Sequence, residues 1–191
     1  MKKIVVFMLT ISVLSTFAQD KPMAFKVGDS APDLMGKDHS GKIVSLKELT
    51  KKGKVVVMFY RGAWCGYCNK YMSELEATLP EFSAKNATVI AITPEPEESI
   101  IKSVEKTKAT FSIIYDKNRK IMKDWRVAYS LPDDMKTKYK GYGVDLEKQQ
   151  GDWTLPVPAT YVIGQNGKIE FVHFDENYQQ RADIKNILMS L

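Results

Sequence analysis

Cys65 and Cys68 are the two cysteines of this 191-residue chain, and they stand three positions apart in Trp64-Cys65-Gly66-Tyr67-Cys68. Thiols so placed have three uses: half of a metal site, a structural bridge, or a pair that cycles between dithiol and disulfide. A zinc site would need histidines paired at short spacing. The two present, His39 and His173, are 134 positions apart. His39 reads as a surface residue in a polar turn and His173 as a strand residue facing a neighbour, so no metal and no cofactor are expected. A Cys65–Cys68 bridge would close a tiny loop, and cross-links constrain the unfolded chain less as the loop shortens. The reactive pair remains.

Position supports that reading. The cysteines follow an apolar run, "KVVVMFY" (Lys54 to Tyr60), and open a segment in which Tyr71, Met72, Leu75, Leu79 and Phe82 recur at helical intervals. The first N–H groups of a helix lack internal acceptors, and the macrodipole adds about half a positive charge there. Thiol pKa values at such places fall from ~8.5 to between ~3.5 and ~7.5. Residues at i and i+3 lie about 5–6 Å apart at Cβ, so attacker and resolver can share one turn.

The elements needed to position the pair are legible around it. "KVVVMFY" and "ATVIAIT" (Ala87 to Thr93) read as strands covered on both faces. "FSIIYD" (Phe111 to Asp116), Ala159 to Ile163 and Lys168 to Phe174 read as further strands, the last two joined through an Asn166-Gly167 turn. Helices are expected from Cys65 onward, with Pro80 kinking or ending the first, then over Ser99 to Thr107, Asn118 to Val127 and Arg181 to Leu191. "KIVSLKEL" suggests a short strand and a helical turn. The sum is an α/β domain with a mixed sheet and helices on both faces. Ser130 to Trp153 fits the alternation poorly. It is expected as an insertion of one or two short helices, packing its tyrosines and Trp153 on the sheet, with a substrate groove as the alternative.

Composition is that of a soluble globular protein, with 44% hydrophobic and 27% charged residues. Residues 1–18 carry Lys2 and Lys3, an apolar stretch from Ile4 to Leu14 and a small-residue exit at Ala18, the pattern of a secretory signal. The stretch is too short to span a bilayer as a helix. The expected organisation is signal peptide 1–18, linker 19–26 and one domain 27–191 with the insertion at about 130–153. The protein is expected to be exported across the inner membrane to the periplasm, with no stable membrane insertion after cleavage. Net charge is +5, and +3 without the signal. Lysines are spread rather than gathered into a stripe, so nucleic acid is not an expected partner.

In their order, "VGDSAPDL", "SLKEL", "VVVMFY", the Cys-bearing helix, "VIAIT" and "IIYD" resemble the alkyl hydroperoxide reductase/thiol-specific antioxidant (peroxiredoxin) family. "FYRGAWCGYCN" with "LPVPATYVI" is most similar to its peroxiredoxin-like branch with a thioredoxin-type Cys-x-x-Cys. The resemblance runs from about Val27 to Leu191. It implies a thioredoxin fold, thiol redox chemistry, a hydroperoxide or protein-disulfide substrate, and a thioredoxin-like or other thiol reductant. The alternative from another class is a thioredoxin-fold binding module without catalysis.

Two registers overlap here. In the peroxiredoxin pattern Pro-x-x-x-Thr-x-x-Cys, the proline position is Arg61, the threonine position Cys65 and the peroxidatic position Cys68. That family's later Arg falls at or near Pro158, leaving Arg61 as a substitute positive charge. In the thioredoxin register Cys65 is the exposed attacking thiol and Cys68 the buried resolver, and the roles invert between registers. "VPAT" then matches the segment whose cis-proline faces the dithiol, which implies a cis Val157–Pro158 bond. Trp64 and Tyr67 flank the thiols, Trp64 as a shield and contact surface and Tyr67 either in that role or as core packing. Thioredoxins also keep a buried acid in the strand before the cysteines, and Val55 to Tyr60 has none.

Overall fold

The computed structural model describes residues 21–191, so the expected signal peptide lies outside the described residues. In chain order the elements are β1 (Met35–Lys37), β2 (Ile43–Ser45), α1 (Leu46–Thr50), β3 (Lys54–Phe59), α2 (Gly66–Ala84), β4 (Ala87–Thr93), α3 (Glu97–Thr107) and β5 (Ser112–Tyr115). They continue with α4 (Lys120–Asp124), β6 (Ala128–Ser130), α5 (Asp133–Gly141), α6 (Leu146–Gln150), β7 (Thr154–Pro156), β8 (Ala159–Ile163), β9 (Ile169–Phe174) and α7 (Ile184–Met189).

Five strands form the central sheet in the order β5-β4-β3-β8-β9. β3 and β4 pair in parallel, as do β4 and β5, while β8 runs antiparallel to both β3 and β9. β3 is central because nothing in it needs water: Val55, Val56, Val57, Met58 and Phe59 are 0–2% exposed. Its alternation divides the core. Val56, Met58 and Tyr60 join Tyr71, Met72, Leu75 and Phe82 of α2 on one face. Val55, Val57 and Phe59 meet Trp125 and Tyr161 on the other. The sheet is mixed with helices on both faces, as expected. The β8–β9 hairpin turns at Asn166-Gly167, where Gly167 holds φ +72° and Gly164 N–H donates to Lys168 O.

Pro80 neither ends α2 nor separates its last turn from the core. The helix continues to Ala84, because Phe82 beyond the proline is fully buried and anchors it. Two short pairings escape the sequence pattern. β1 pairs with β2, and β6 pairs with β7. The latter is the stem of the segment 130–153, whose helices α5 and α6 enclose a small core of Leu131, Tyr139, Leu146, Trp153 and Leu155. Arg119, 3% exposed, ties this segment down by donating to Gln150 O and Asp152. Met23 N–H donates to Arg126 O, and Phe25 lies edge-on to Trp125 and Tyr161, so the chain before Val27 is seated on the domain. Among the described residues no helix is long and apolar enough to cross a membrane.

Candidate active site

The chain leaves β3 at Phe59, turns through 60–64 and enters α2 with Cys65 as its N-cap residue, whose side chain makes no capping bond. Cys68 falls in the first helical turn. The thiols are unbonded, and Cys65 is 4% and Cys68 1% exposed. The expectation that the Cys65 thiol is exposed is therefore corrected. Both sulfurs belong to the core cluster between α2 and the sheet, with Trp64 packed against it.

The turn is clamped. Ala63 N–H donates to Glu95 Oε2 at 2.7 Å, and Ala63 O accepts from Asn69 Nδ2 at 2.9 Å and Lys106 Nζ at 3.1 Å. Gly62 sits at φ +151°, and a Cβ there would collide with the Glu95 carboxylate and the Trp64 indole. Gly62→Ala is thus expected to cost about 2–4 kcal/mol from backbone strain and overpacking, read as a lower melting temperature with the fold retained.

Charge is distributed unequally between the thiols. Burial opposes ionisation of Cys68, but the Cys65 S–H bond, the Arg181 guanidinium, and the Arg61 backbone N–H and guanidinium outweigh it and lower its pKa to about 6. Arg181 Nη2 lies 3.3 Å from Cys68 Sγ. Cys65 is pushed up, first by donating to Cys68 and then by burial. The surroundings therefore favour the thiolate on Cys68 and the thiol on Cys65. Arg181→Met is expected to move the thiolate absorbance midpoint near 240 nm upward from about 6, toward the ordinary thiol range.

Arg61 is 1% exposed, and its guanidinium carbon stands 4.8, 5.4 and 4.2 Å from the ring centroids of Trp64, Tyr139 and Tyr178. Its Nη2 donates to the Tyr139 hydroxyl, while Nε is buried with no acceptor. Cation–π contacts and the stack of Trp64 edge-on to Tyr139 make this a rigid cage. Tyr67 is 46% exposed and meets Tyr178 edge-on, so it forms the outer rim. Pro158 is buried. Among the described residues no peptide bond is cis, which corrects the expected cis Val157–Pro158 bond. Val157 N–H donates to Val127 O at 2.8 Å, so the chain passes extended from β7 into β8.

The sequence pattern brings Cys65, Cys68, Arg61, Trp64 and Tyr67 together, and the structure adds four residues it did not single out. These are Arg181 and Tyr178 from the β9–α7 loop, Tyr139 from α5, and Glu95 after β4. Glu95 is a buried acid just beyond the end of β4. It is 2% exposed, and burial pushes its carboxyl up to about 7 against the Ala63 hydrogen bond. His39 Nδ1 lies by the Ile113 N–H, and His173 sits on β9 opposite Thr160 of β8.

A dithiol at a helix start beside a mixed five-stranded sheet agrees with the family comparison, in which the AhpC/TSA family matches residues 27–172. The chain belongs to the AhpC/TSA family. Among relatives of this AhpC/TSA protein, chloroplastic peroxiredoxin Q of Sedum lineare is 29% identical over 165 residues, covering 86% of this chain and 76% of the relative. The thiol-disulfide oxidoreductase ResA of Bacillus cereus is 26% identical over 154 residues, covering 80% and 71%. The crystal structure of peroxidoxin BcpB from Mycobacterium tuberculosis superposes with a TM-score of 0.68 at 20% identity, over 86% of this chain and 95% of that one. The fold is the thioredoxin fold of peroxiredoxins, and the AhpC/TSA protein is a thiol-dependent oxidoreductase.

Proposed function

We propose that this AhpC/TSA protein reduces hydroperoxides, with Cys68 as the attacking thiolate and Cys65 as the resolver. One observation carries the reading: Arg181 Nη2 lies 3.3 Å from Cys68 Sγ, the less exposed sulfur at 1%, where a guanidinium favours the thiolate. A peroxide is small enough to reach such a sulfur. Arg181 supplies the cation that the peroxiredoxin pattern places where Pro158 stands here. The unpaired Nε–H of Arg61 is a donor free to meet a peroxide oxygen. This reading takes the peroxiredoxin register over the thioredoxin one.

The cycle balances in two steps. The Cys68 thiolate attacks one peroxide oxygen and breaks the O–O bond, giving a sulfenic acid and, with a proton, an alcohol or water. The Cys65 thiol then attacks the sulfenic sulfur, forming the Cys65–Cys68 disulfide and releasing water. A thiol donor, thioredoxin-like or another, returns two electrons. Because the thiolate is the nucleophile, the rate of attack should rise with pH through about 6 and level off above it. A bell centred near the ordinary thiol pKa would contradict the charge assignment.

The exposed Tyr67 beside the pair favours a second reading, reduction of protein disulfides at a surface an aromatic rim can contact. Side-by-side assays separate the two. With a dithiol donor, consumption of hydrogen peroxide or an alkyl hydroperoxide and no insulin reduction supports the first. Insulin reduction without peroxide consumption overturns it, and inertness in both leaves a binding module. Export to the periplasm rests on residues 1–18, and an N-terminus of Gln19 in protein recovered from the periplasm is the expected result.

A further inference from the structure

Between α2 and α7 runs a groove that the dithiol cycle leaves without a task. It encloses about 640 Å³, with Tyr71, Ala77 and Thr78 on one wall and Arg181, Ile184 and Leu188 on the other. That volume is of the size that holds small organic ligands. Arg181 belongs both to this groove and to the dithiol, since its Nη2 lies 3.3 Å from Cys68 Sγ. We propose that the groove takes the organic part of the hydroperoxide, and that its acidic border selects neutral or cationic hydroperoxides over carboxylated ones. The substrate then reaches Cys68 past Arg181 rather than through the rim at Tyr67.

Given the peroxide cycle above, on which this assignment rests, bond directions choose the groove. Substitution at divalent sulfur is in line, with the entering and leaving atoms on opposite sides of the sulfur attacked. Cys65 must therefore expel the sulfenic hydroxyl from the side of Cys68 that faces away from Cys65. Cys65, Cys68 and Tyr71 succeed one another along α2 at three-residue steps, so each neighbours the next. The groove opens at Tyr71, beyond Cys68 as seen from Cys65. The first step obeys the same rule. The Cys68 thiolate takes the terminal peroxide oxygen and the O–O bond breaks. The alkoxide departs on the far side of that oxygen, takes a proton from water and lies in the groove as the alcohol. Cys65 then closes the disulfide, and its proton leaves with the hydroxyl as water.

The lining suits a compact apolar body edged by negative charge. Ala77, Ala182, Ile184 and Leu188 supply carbon surface, while Glu74, Glu81 and Asp183 border it against a single lysine, Lys185. Arg181 is matched by the Cys68 thiolate. Even with Lys70 at 3.8 Å from Glu74, the border keeps an excess of carboxylate. A carboxylated hydroperoxide meets like charge there, and a neutral or cationic one does not. Hydrogen peroxide has no carbon body to place and gains nothing from the groove.

Cumene hydroperoxide, its para-carboxylate and hydrogen peroxide are the probes, with thiol loss as the readout and each rate taken relative to a free thiol. Ala77 is exposed on α2, so Ala77→Trp should fold while filling the groove. It should slow oxidation by cumene hydroperoxide about tenfold and leave oxidation by hydrogen peroxide unchanged. The wild-type protein should prefer cumene hydroperoxide to the carboxylate by about threefold to tenfold, and Glu81→Gln should narrow the gap. Equal losses with both peroxides in Ala77→Trp, or a wild-type preference for the carboxylate, overturn the proposal. A second measurement needs no turnover. Cumyl alcohol, the product, should shift the methyl resonances of Ile184 and Leu188 in the reduced protein and fail to do so in Ala77→Trp. An alcohol that moves only resonances near Tyr67, or none, overturns the groove. Shifts in the groove of a protein inert to every peroxide would uphold the site and overturn the cycle instead.

Discussion

Cys68→Ser is expected to abolish peroxide turnover, and Cys65→Ser to leave a protein that reduces one equivalent of peroxide and stops at a sulfenic acid on Cys68. The asymmetry follows from the site. Cys68 keeps Arg181 and the helix N-terminus when Cys65 is removed, and loses only the Cys65 hydrogen bond that helps to hold its charge. Cys65 left alone is a buried thiol whose side chain caps nothing. Intact-mass analysis after peroxide and a sulfenic-acid trap reads the outcome directly. A trapped adduct on Cys65 in Cys68→Ser, with Cys65→Ser inert, would hand the attack to Cys65 and restore the thioredoxin register.

Arg61→Met should lower the second-order rate of oxidation by roughly a hundredfold to a thousandfold, the cost of losing a positioned donor to developing charge. It should also raise the Cys68 pKa, since the Arg61 guanidinium is among the groups that lower it. Lysine should not rescue. The planar guanidinium stacks on Trp64, Tyr139 and Tyr178 while donating to the Tyr139 hydroxyl, which an ammonium cannot reproduce. The loss of this bond leaves the Tyr139 hydroxyl unpaired, so stability should fall by about 1–3 kcal/mol. Oxidation kinetics, thiolate titration and thermal unfolding of one variant check the three effects. An unchanged oxidation rate would remove Arg61 from the reaction.

What sequence could reveal was set by local periodicity. β3 and β4 announce themselves as continuous apolar runs because both faces are covered, and α2 as a 3.6-residue stripe that packs on them. The dithiol is a contiguous motif at that junction, so its place was legible with them. Arg181 reaches Cys68 across 113 positions, and Glu95 reaches Ala63 across 32. Each is a single charged residue in a loop, and a lone charge has no period. "PEPEE" offers three acids, of which only Glu95 is buried, a choice made by the sheet end and α3. β1, β6 and β7 are three residues each, too short to alternate visibly. The helix running through Pro80 depends on a partner elsewhere, the core contact of Phe82.

A buried thiolate meeting a small oxidant is the central claim, and stopped-flow mixing of the fully reduced protein with hydrogen peroxide or an alkyl hydroperoxide tests it most directly. Trp64 packs against the cluster that holds both cysteines and reports their oxidation as a fluorescence change. The predicted result is a fluorescence phase whose rate rises linearly with peroxide, far exceeds that of a free thiol, and is lost in Cys68→Ser. Oxidation no faster than a free thiol's contradicts the account.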